Sequence, residues 1–162
     1  MSAKWQQSNP RWQAYLAAPS LAVAATLFLL VAWLPDLPSQ IATQWSADGA
    51  ATSSSSRFVM LVTYLVPVFT ALLIPLVVGH YQAGDSALAQ WGMRMAYGLG
   101  WFVAVFMSGM ALTFTSAQRG AASALEASPP DWVWAGVSLA VAALSAVAGA
   151  ALAPVTTSET RP

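Results

Sequence analysis

The 162-residue sequence lacks cysteine altogether and is poor in charge. Without cysteine the chain can form neither disulfides nor thiolate metal sites, and it has no thiol nucleophile. Charged residues make up 7% of it, six basic and six acidic, against about 25% in a typical soluble domain. So few balanced charges exclude an ordinary water-exposed surface and provide no basic patch, so we predict no nucleic-acid partner.

Sequence patterns typical of enzymes are also lacking. There is no HExxH, Walker, GxSxG or Rossmann motif. The single histidine, His80, is predicted at the opposite membrane face from the serines at positions 53–56, so the two cannot form a nucleophile–base pair. We therefore predict no catalytic residues, no metal site and no cofactor, and a protein that is not an enzyme.

Four long apolar runs dominate what is present. They cover about residues 15–34, 58–79, 93–115 and 132–154. Each is close to the length of about 20 residues that an α-helix needs to cross a bilayer. We predict an all-α membrane protein in which residues 1–154 form a single domain of four transmembrane helices and residues 155–162 form a disordered tail.

Small residues recur every four positions in the third and fourth runs. The two stripes consist of Ala96, Gly100, Ala104 and Ser108, and of Ser138, Ala142, Ala146 and Ala150. Small residues let helices approach closely in lipid, so the stripes predict a tight interface between these two helices. The competing interpretation is that an alanine-rich sequence produces such stripes by chance.

The distribution of Lys and Arg favours an orientation with both termini in the cytoplasm. This topology leaves two basic residues in the outer loops, Arg57 and Arg119, and four on the inner side: Lys4, Arg11, Arg94 and Arg161. We therefore expect the first and third loops to face outward.

The first loop, residues 35–57, is the most patterned polar segment. Ile41, Thr43 and Trp45 alternate with small or polar residues, and Asp48-Gly49 marks a turn because glycine accepts positive φ. The pattern predicts a short β-hairpin from residues 41–45 to about residues 50–54. Two strands alone are marginal in water, so we expect this hairpin to lean on the helix ends through Ile41 and Trp45.

Part of this loop, the string LPSQIATQWSADG at residues 37–49, carries a recognisable signature. Its pattern residues are Leu37, Pro38, Ile41, Ala42, Thr43, Trp45 and Gly49. In spacing and in position after the first span, the string resembles the signature of a bacterial membrane family, domain of unknown function 1648, over about the first half of the chain. The resemblance implies a bacterial inner-membrane protein. That family includes the SdpI-type immunity proteins, which protect a bacterium from its own secreted toxin.

The sequence departs from the family pattern at two positions. Gln44 stands where histidine is usual, and Thr52 stands where aspartate is common. Glutamine forms hydrogen bonds but does not titrate near neutral pH and is a poor metal ligand. We therefore expect the loop to act by shape and hydrogen bonding, and we assign structural roles to the motif residues Leu37, Pro38, Ile41, Thr43 and Gly49.

Polar and aromatic side chains of this loop are the candidate binding residues: Asp36, Gln44, Trp45, Asp48 and Arg57. An alternative interpretation is that the two aspartates serve turns and that the arginine meets phosphate headgroups. We predict a non-enzymatic accessory, immunity or signalling protein that binds a peptide or a membrane-protein partner through this loop. The alternative is a small transporter or channel subunit that works as a homo-oligomer, favoured by Pro67 and Pro75 in the second span.

Overall fold

Four long helices and one two-stranded sheet make up the fold, which the computed structural model describes for residues 10–81 and 86–153. The elements in chain order are α1 (Pro10–Trp33), β1 (Gln40–Trp45), β2 (Ala51–Ser56), α2 (Arg57–Tyr81), α3 (Ala87–Ser116) and α4 (Trp132–Leu152). Short 3-10 turns follow α1, at Leu34–Asp36, and precede α4, at Ala124–Glu126. The predicted tail at residues 155–162 lies outside the described residues.

All four helices are long and apolar enough to cross a bilayer. The candidate spans are Ala17–Asp36, Arg57–Ile74, Ala87–Ser116 and Trp132–Leu152. Large apolar side chains such as Phe28, Phe69 and Leu144 are exposed on the surface of the bundle, where lipid would be their solvent. The predicted fold, a multi-pass membrane protein with a hairpin between its first two helices, is confirmed.

α3 begins earlier than the hydropathy of the sequence predicts. Ser86 caps it by accepting a hydrogen bond on its hydroxyl from the amide of Ala89 at 3.2 Å, so residues 87–92 continue into the span. At 1.5 Å per residue the 30-residue helix measures about 45 Å, against about 30 Å for the hydrocarbon layer. About 15 Å of α3 therefore extends beyond that layer.

The centre of the bundle is α3, which contacts all three other helices. With α1 and α2 it encloses an apolar cluster formed by Val23, Leu30, Tyr64, Val68 and Ala104. Its most extensive contact is with α4, on another side. The helix that comes third in the chain thus holds the other three together.

Glycine makes the α3–α4 contact close. A Cβ atom at Gly149 would lie 2.7 Å from Trp101 Cγ and 2.9 Å from the carbonyl oxygen of Tyr97, and one at Gly98 would lie 2.9 Å from the carbonyl oxygen of Ala146. Such distances are shorter than real Cβ contacts, so both positions require glycine unless the helices separate. The predicted tight interface between these two helices is present.

The small-residue stripe of α4 lies at this interface, where Ser138 would meet a Cβ at Gly109 and Ala142 is fully buried. The stripe of α3 faces another way. Ala104 packs against α1 and α2, and the hydroxyl oxygen of Ser108 lies 3.1 Å from that of Tyr64. The prediction is therefore wrong for the α3 side, because glycine permits a closer approach than alanine and α4 packs on the glycine face.

Replacing Gly149 with alanine is expected to lower the free energy of unfolding by roughly 1–3 kcal/mol, because the added methyl group overpacks the interface. Gly136→Ala in the same helix is the matched control, since nothing lies within 4 Å of its Cβ position. That control should be neutral or gain roughly 0.5–1 kcal/mol. Thermal unfolding in detergent micelles measures both, and equal stabilities for the two variants would contradict the close contact.

Candidate functional site

The hairpin caps one end of the bundle, where α1 and α3 end and α2 and α4 begin; we call this the hairpin end. β1 and β2 pair antiparallel, with Ile41 opposite Ser55 and Trp45 opposite Ala51. The register shifts on both sides of Gln44, an irregularity of the β-bulge kind. The predicted hairpin is confirmed, and β2 runs to Ser56 and continues directly into α2.

Both faces of β1 are covered near its start. Ile41 and Ala42 are each only 1% exposed. Ile41 faces the helix ends, whereas Ala42 packs against Ala124 and Ala127 of the third loop. The bulge leaves Thr43 exposed, so the strict alternation of Ile41, Thr43 and Trp45 does not describe this strand.

Gln118, in the loop after α3, fastens β1 to the bundle. Its Oε1 accepts a hydrogen bond from the Ala42 amide at 2.6 Å, and its Nε2 donates to the Ala42 carbonyl at 3.1 Å and to the Phe114 carbonyl at 3.1 Å. The side chain is completely buried. A primary amide thereby pairs with one strand residue much as a neighbouring strand would.

Sequence reasoning missed Gln118. It lies 76 residues from Ala42, in an alanine-rich loop where no spacing connects it with the hairpin. The only signal is a polar side chain between the end of an apolar run and a series of small residues. This signal does not show which backbone group the Gln118 side chain would bind.

Two predicted binding residues, Asp36 and Arg57, hold the end of α1. The Asp36 carboxylate pairs with Arg119 at 2.7 Å, and the guanidinium of Arg119 lies 4.8 Å from the ring centroid of Trp33. Arg57 donates to the carbonyl of Leu34 at 2.9 Å. These contacts satisfy groups at the helix terminus, and because the ion pair is about half exposed its own contribution to stability is small.

Trp45 contacts both α3 and the third loop. Its ring centroid lies 5.8 Å from that of Phe114, and its Nε1 donates to the carbonyl of Ala127 at 3.2 Å. The expectation that Ile41 and Trp45 seat the hairpin on the helix ends is confirmed. The third loop is a support that the sequence did not predict.

Gln44 and Asp48 are exposed predicted binding residues, as is Asp36, whose carboxylate is already paired with Arg119. A hydrogen bond from the Ser46 hydroxyl and further backbone hydrogen bonds lower the pKa of the Asp48 carboxyl below its ordinary value. Asp48 is therefore ionised at neutral pH, and this bond weakens only as the pH falls through that lowered pKa. Gly49 closes the turn with φ of +85° and donates to the Ser46 carbonyl at 3.0 Å.

An apolar cavity of about 340 Å³ lies beneath the hairpin, between α2 and α3. Ile41 contributes to its roof, and its walls include three methionines, Met60, Met107 and Met110. Among the described residues neither α1 nor α4 lines it, and Val59 and Thr63 on its rim are exposed. The cavity therefore opens sideways, toward the lipid that surrounds α2 and α3.

Most polar side chains that line the cavity are already bonded within the protein. Gln118 is bonded to β1, Thr63 donates to the carbonyl of Val59 at 2.9 Å, and the Tyr64 hydroxyl lies 3.1 Å from that of Ser108. The cavity therefore suits an apolar group. Methionine is unbranched and polarizable, so these walls can adapt to different shapes.

Ligands for a metal do not converge in the part of the chain that is described. Within residues 10–81 and 86–153 no three His, Cys, Asp or Glu side chains come together. The absence of a catalytic, metal or cofactor site stays a prediction, as do the binding roles of Asp36, Gln44, Trp45, Asp48 and Arg57.

Residues 21–79 match the family model described as a domain of unknown function, DUF1648. The match covers the second half of α1, the hairpin and nearly all of α2, and it confirms the family resemblance carried by the LPSQIATQW motif. It ends before α3, so Gln118 lies outside it. No curated protein and no solved structure matches the chain.

Replacing Gln118 with alanine is expected to loosen the hairpin, because it leaves the buried amide and carbonyl of Ala42 without this partner. Each unsatisfied group costs roughly 1–3 kcal/mol, so the local opening free energy of β1 should fall by at least that amount. Amide hydrogen exchange at residues 40–45 measures the change as faster exchange.

The control is Gln44→Ala, which removes an exposed glutamine from the same strand. It should leave exchange at Ala42 unchanged. If the two variants exchange at the same rate, Gln118 does not hold the strand.

Proposed function

We propose that this chain, with a DUF1648 domain at residues 21–79, is a non-enzymatic accessory, immunity or signalling protein of the bacterial inner membrane, of the SdpI-like kind. It binds a peptide or a partner membrane protein at the hairpin end, which faces outward while both termini are cytoplasmic. The apolar cavity roofed by the fastened hairpin carries this proposal.

A fastened hairpin lowers the cost of binding. Gln118, Trp45 and Arg57 already order the loop, so the loop loses less conformational entropy on binding a partner than a mobile loop would. Thr43 lines the cavity and is exposed, the next residue Gln44 is also exposed, and Asp48 adds one negative charge at the turn. A partner with an apolar side chain and a polar backbone therefore fits this end.

Partners that lie in or against the bilayer suit the position of the cavity. Its rim residues Val59 and Thr63 belong to a candidate membrane span, and the neighbouring Phe58 and Val62 are exposed apolar side chains. An apolar side chain can thus enter from the lipid while the rest of the partner contacts the hairpin. This geometry favours an amphipathic peptide or a transmembrane segment over a small soluble ligand.

A transporter or channel subunit is the second candidate, favoured by a buried polar group inside the bundle. Thr26, Tyr64 and Ser108 are all less than 10% exposed and come from three helices. Ser108 donates to the carbonyl of Ala104 at 2.7 Å, and its hydroxyl oxygen lies 3.1 Å from that of Tyr64. These hydroxyls therefore already bond within the bundle, which keeps this candidate second. Solute flux into reconstituted vesicles above that of empty vesicles would favour this candidate.

A photo-crosslinking amino acid at position 44 is expected to capture a discrete partner in bacterial cells. Met110→Trp should abolish the crosslink, because the larger ring fills the cavity that receives the partner's apolar side chain. Gel mobility of the crosslinked product and mass spectrometry of the attached peptide measure both results.

Leu144→Trp is the matched control, since it adds the same ring on the exposed lipid side of α4. It should leave the crosslink intact. The same crosslink in the wild-type and Met110→Trp backgrounds would refute a role for the cavity, and no crosslink from position 44 in an inserted, folded protein would refute binding at the hairpin.

A further inference from the structure

A second groove lies at the other end of the bundle, between α3 and α4. Its volume is about 350 Å³. The residues that shape it are Arg94, Gly98, Phe102, Ala146, Val147 and Ala150. The closely packed helices form its floor, Phe102 forms one wall by stacking on Phe106 at 5.7 Å, and Arg94 supplies its only charge. The groove is therefore apolar along its length and positive at one end.

The depth of Arg94 in the bilayer follows from the length of α3. Ser116 ends this helix at the hairpin end, and Arg94 lies 22 residues earlier, about 33 Å away along the helix. With Ser116 placed at one boundary of the hydrocarbon layer, which is about 30 Å thick, Arg94 lies just beyond the opposite boundary, within reach of the lipid headgroups. Gly98 and Phe102 lie one and two turns deeper, among the acyl chains.

The charge of Arg94 is available to a ligand. Its side chain is exposed, and across residues 10–81 and 86–153 the only ion pair joins Arg119 with Asp36 at the hairpin end. A guanidinium presents a planar set of donors that matches the geometry of a phosphate. A phosphate at this depth thus meets a fixed positive charge next to an apolar groove.

We propose that the α3–α4 groove binds one anionic phospholipid of the membrane. The phosphate of its headgroup accepts hydrogen bonds from Arg94, and one acyl chain lies along Gly98, Phe102 and Ala146. A lipid with a net negative charge should bind better than a zwitterionic lipid, because the zwitterionic headgroup also carries a cation that Arg94 repels. This lipid site does not depend on partner binding at the hairpin end.

The test is native mass spectrometry of the purified protein with equal amounts of phosphatidylglycerol and phosphatidylcholine. The wild-type protein should retain phosphatidylglycerol preferentially. Arg94→Gln should lower that preference by about fivefold, the effect of one basic side chain at an anionic membrane surface, and Arg94→Lys should keep most of it. Val147→Phe should also lower it, because this side chain is 69% exposed and the larger ring fills the groove without disturbing the helix contact.

Arg119→Gln is the charge-matched control at the hairpin end and should keep the full preference. Circular dichroism confirms that each variant is helical before it is compared. An unchanged preference in Arg94→Gln overturns the site, and an equal loss in Arg119→Gln shows a net-charge effect instead. Full retention by Val147→Phe overturns the role of the groove.

Discussion

The two-way hydrogen bond between the Gln118 amide and the backbone of Ala42 joins the hairpin to the helices. An isolated pair of short strands is marginal in water, so the hairpin needs support from outside itself. Gln118 supplies that support at the point where β1 is most deeply buried. The position of Ile41 over the cavity and the seating of Trp45 against Phe114 both follow from β1 being fixed there.

The spans could be predicted from sequence because a bilayer imposes a length and a composition on every helix that crosses it. The hairpin could be predicted because its Asp48-Gly49 turn and its flanking apolar residues Ile41 and Trp45 are local features, whereas the bulge at Gln44 that breaks the alternation could not. The start of α3 could not be read from hydropathy, because the hydrogen bond that Ser86 accepts from Ala89 determines where this helix begins. The mean hydropathy over a window of residues carries no information about such a hydrogen bond.

Long-range contacts account for what the sequence did not predict. Gln118 and Ala42 are far apart in the chain, and nothing near either residue indicates the other. The α3 stripe illustrates a second limit. A helix rich in alanine and glycine has small residues on more than one face. Which face contacts which helix depends on tertiary packing, in which Gly98 and Gly109 contact α4 and Ala104 contacts α1 and α2.

The division between the segment that matches the family model, residues 21–79, and the rest of the chain has a structural meaning. The DUF1648 segment contains the turn, the strands and the helices on either side, whereas the residue that fastens β1 belongs to the loop after α3. The motif residues Leu37, Ile41 and Gly49 shape the hairpin, since the first two are buried and the third adopts a left-handed conformation. The segment thus encodes the form of the hairpin, and the second half of the chain encodes its attachment.

Ser56 ends β2 and Arg57 begins α2, with no residue between strand and helix. Because no flexible linker separates the two elements, a displacement of the hairpin would also displace the first turn of α2. Displacing the hairpin would shift the start of a helix whose Met60 and Tyr64 line the cavity. Conversely, a group that wedges α2 away from α3 moves the hairpin, and by thermodynamic reciprocity the two events change each other's free energy equally. The direct junction would therefore pass any displacement of the hairpin to a helix that is long enough to cross the membrane.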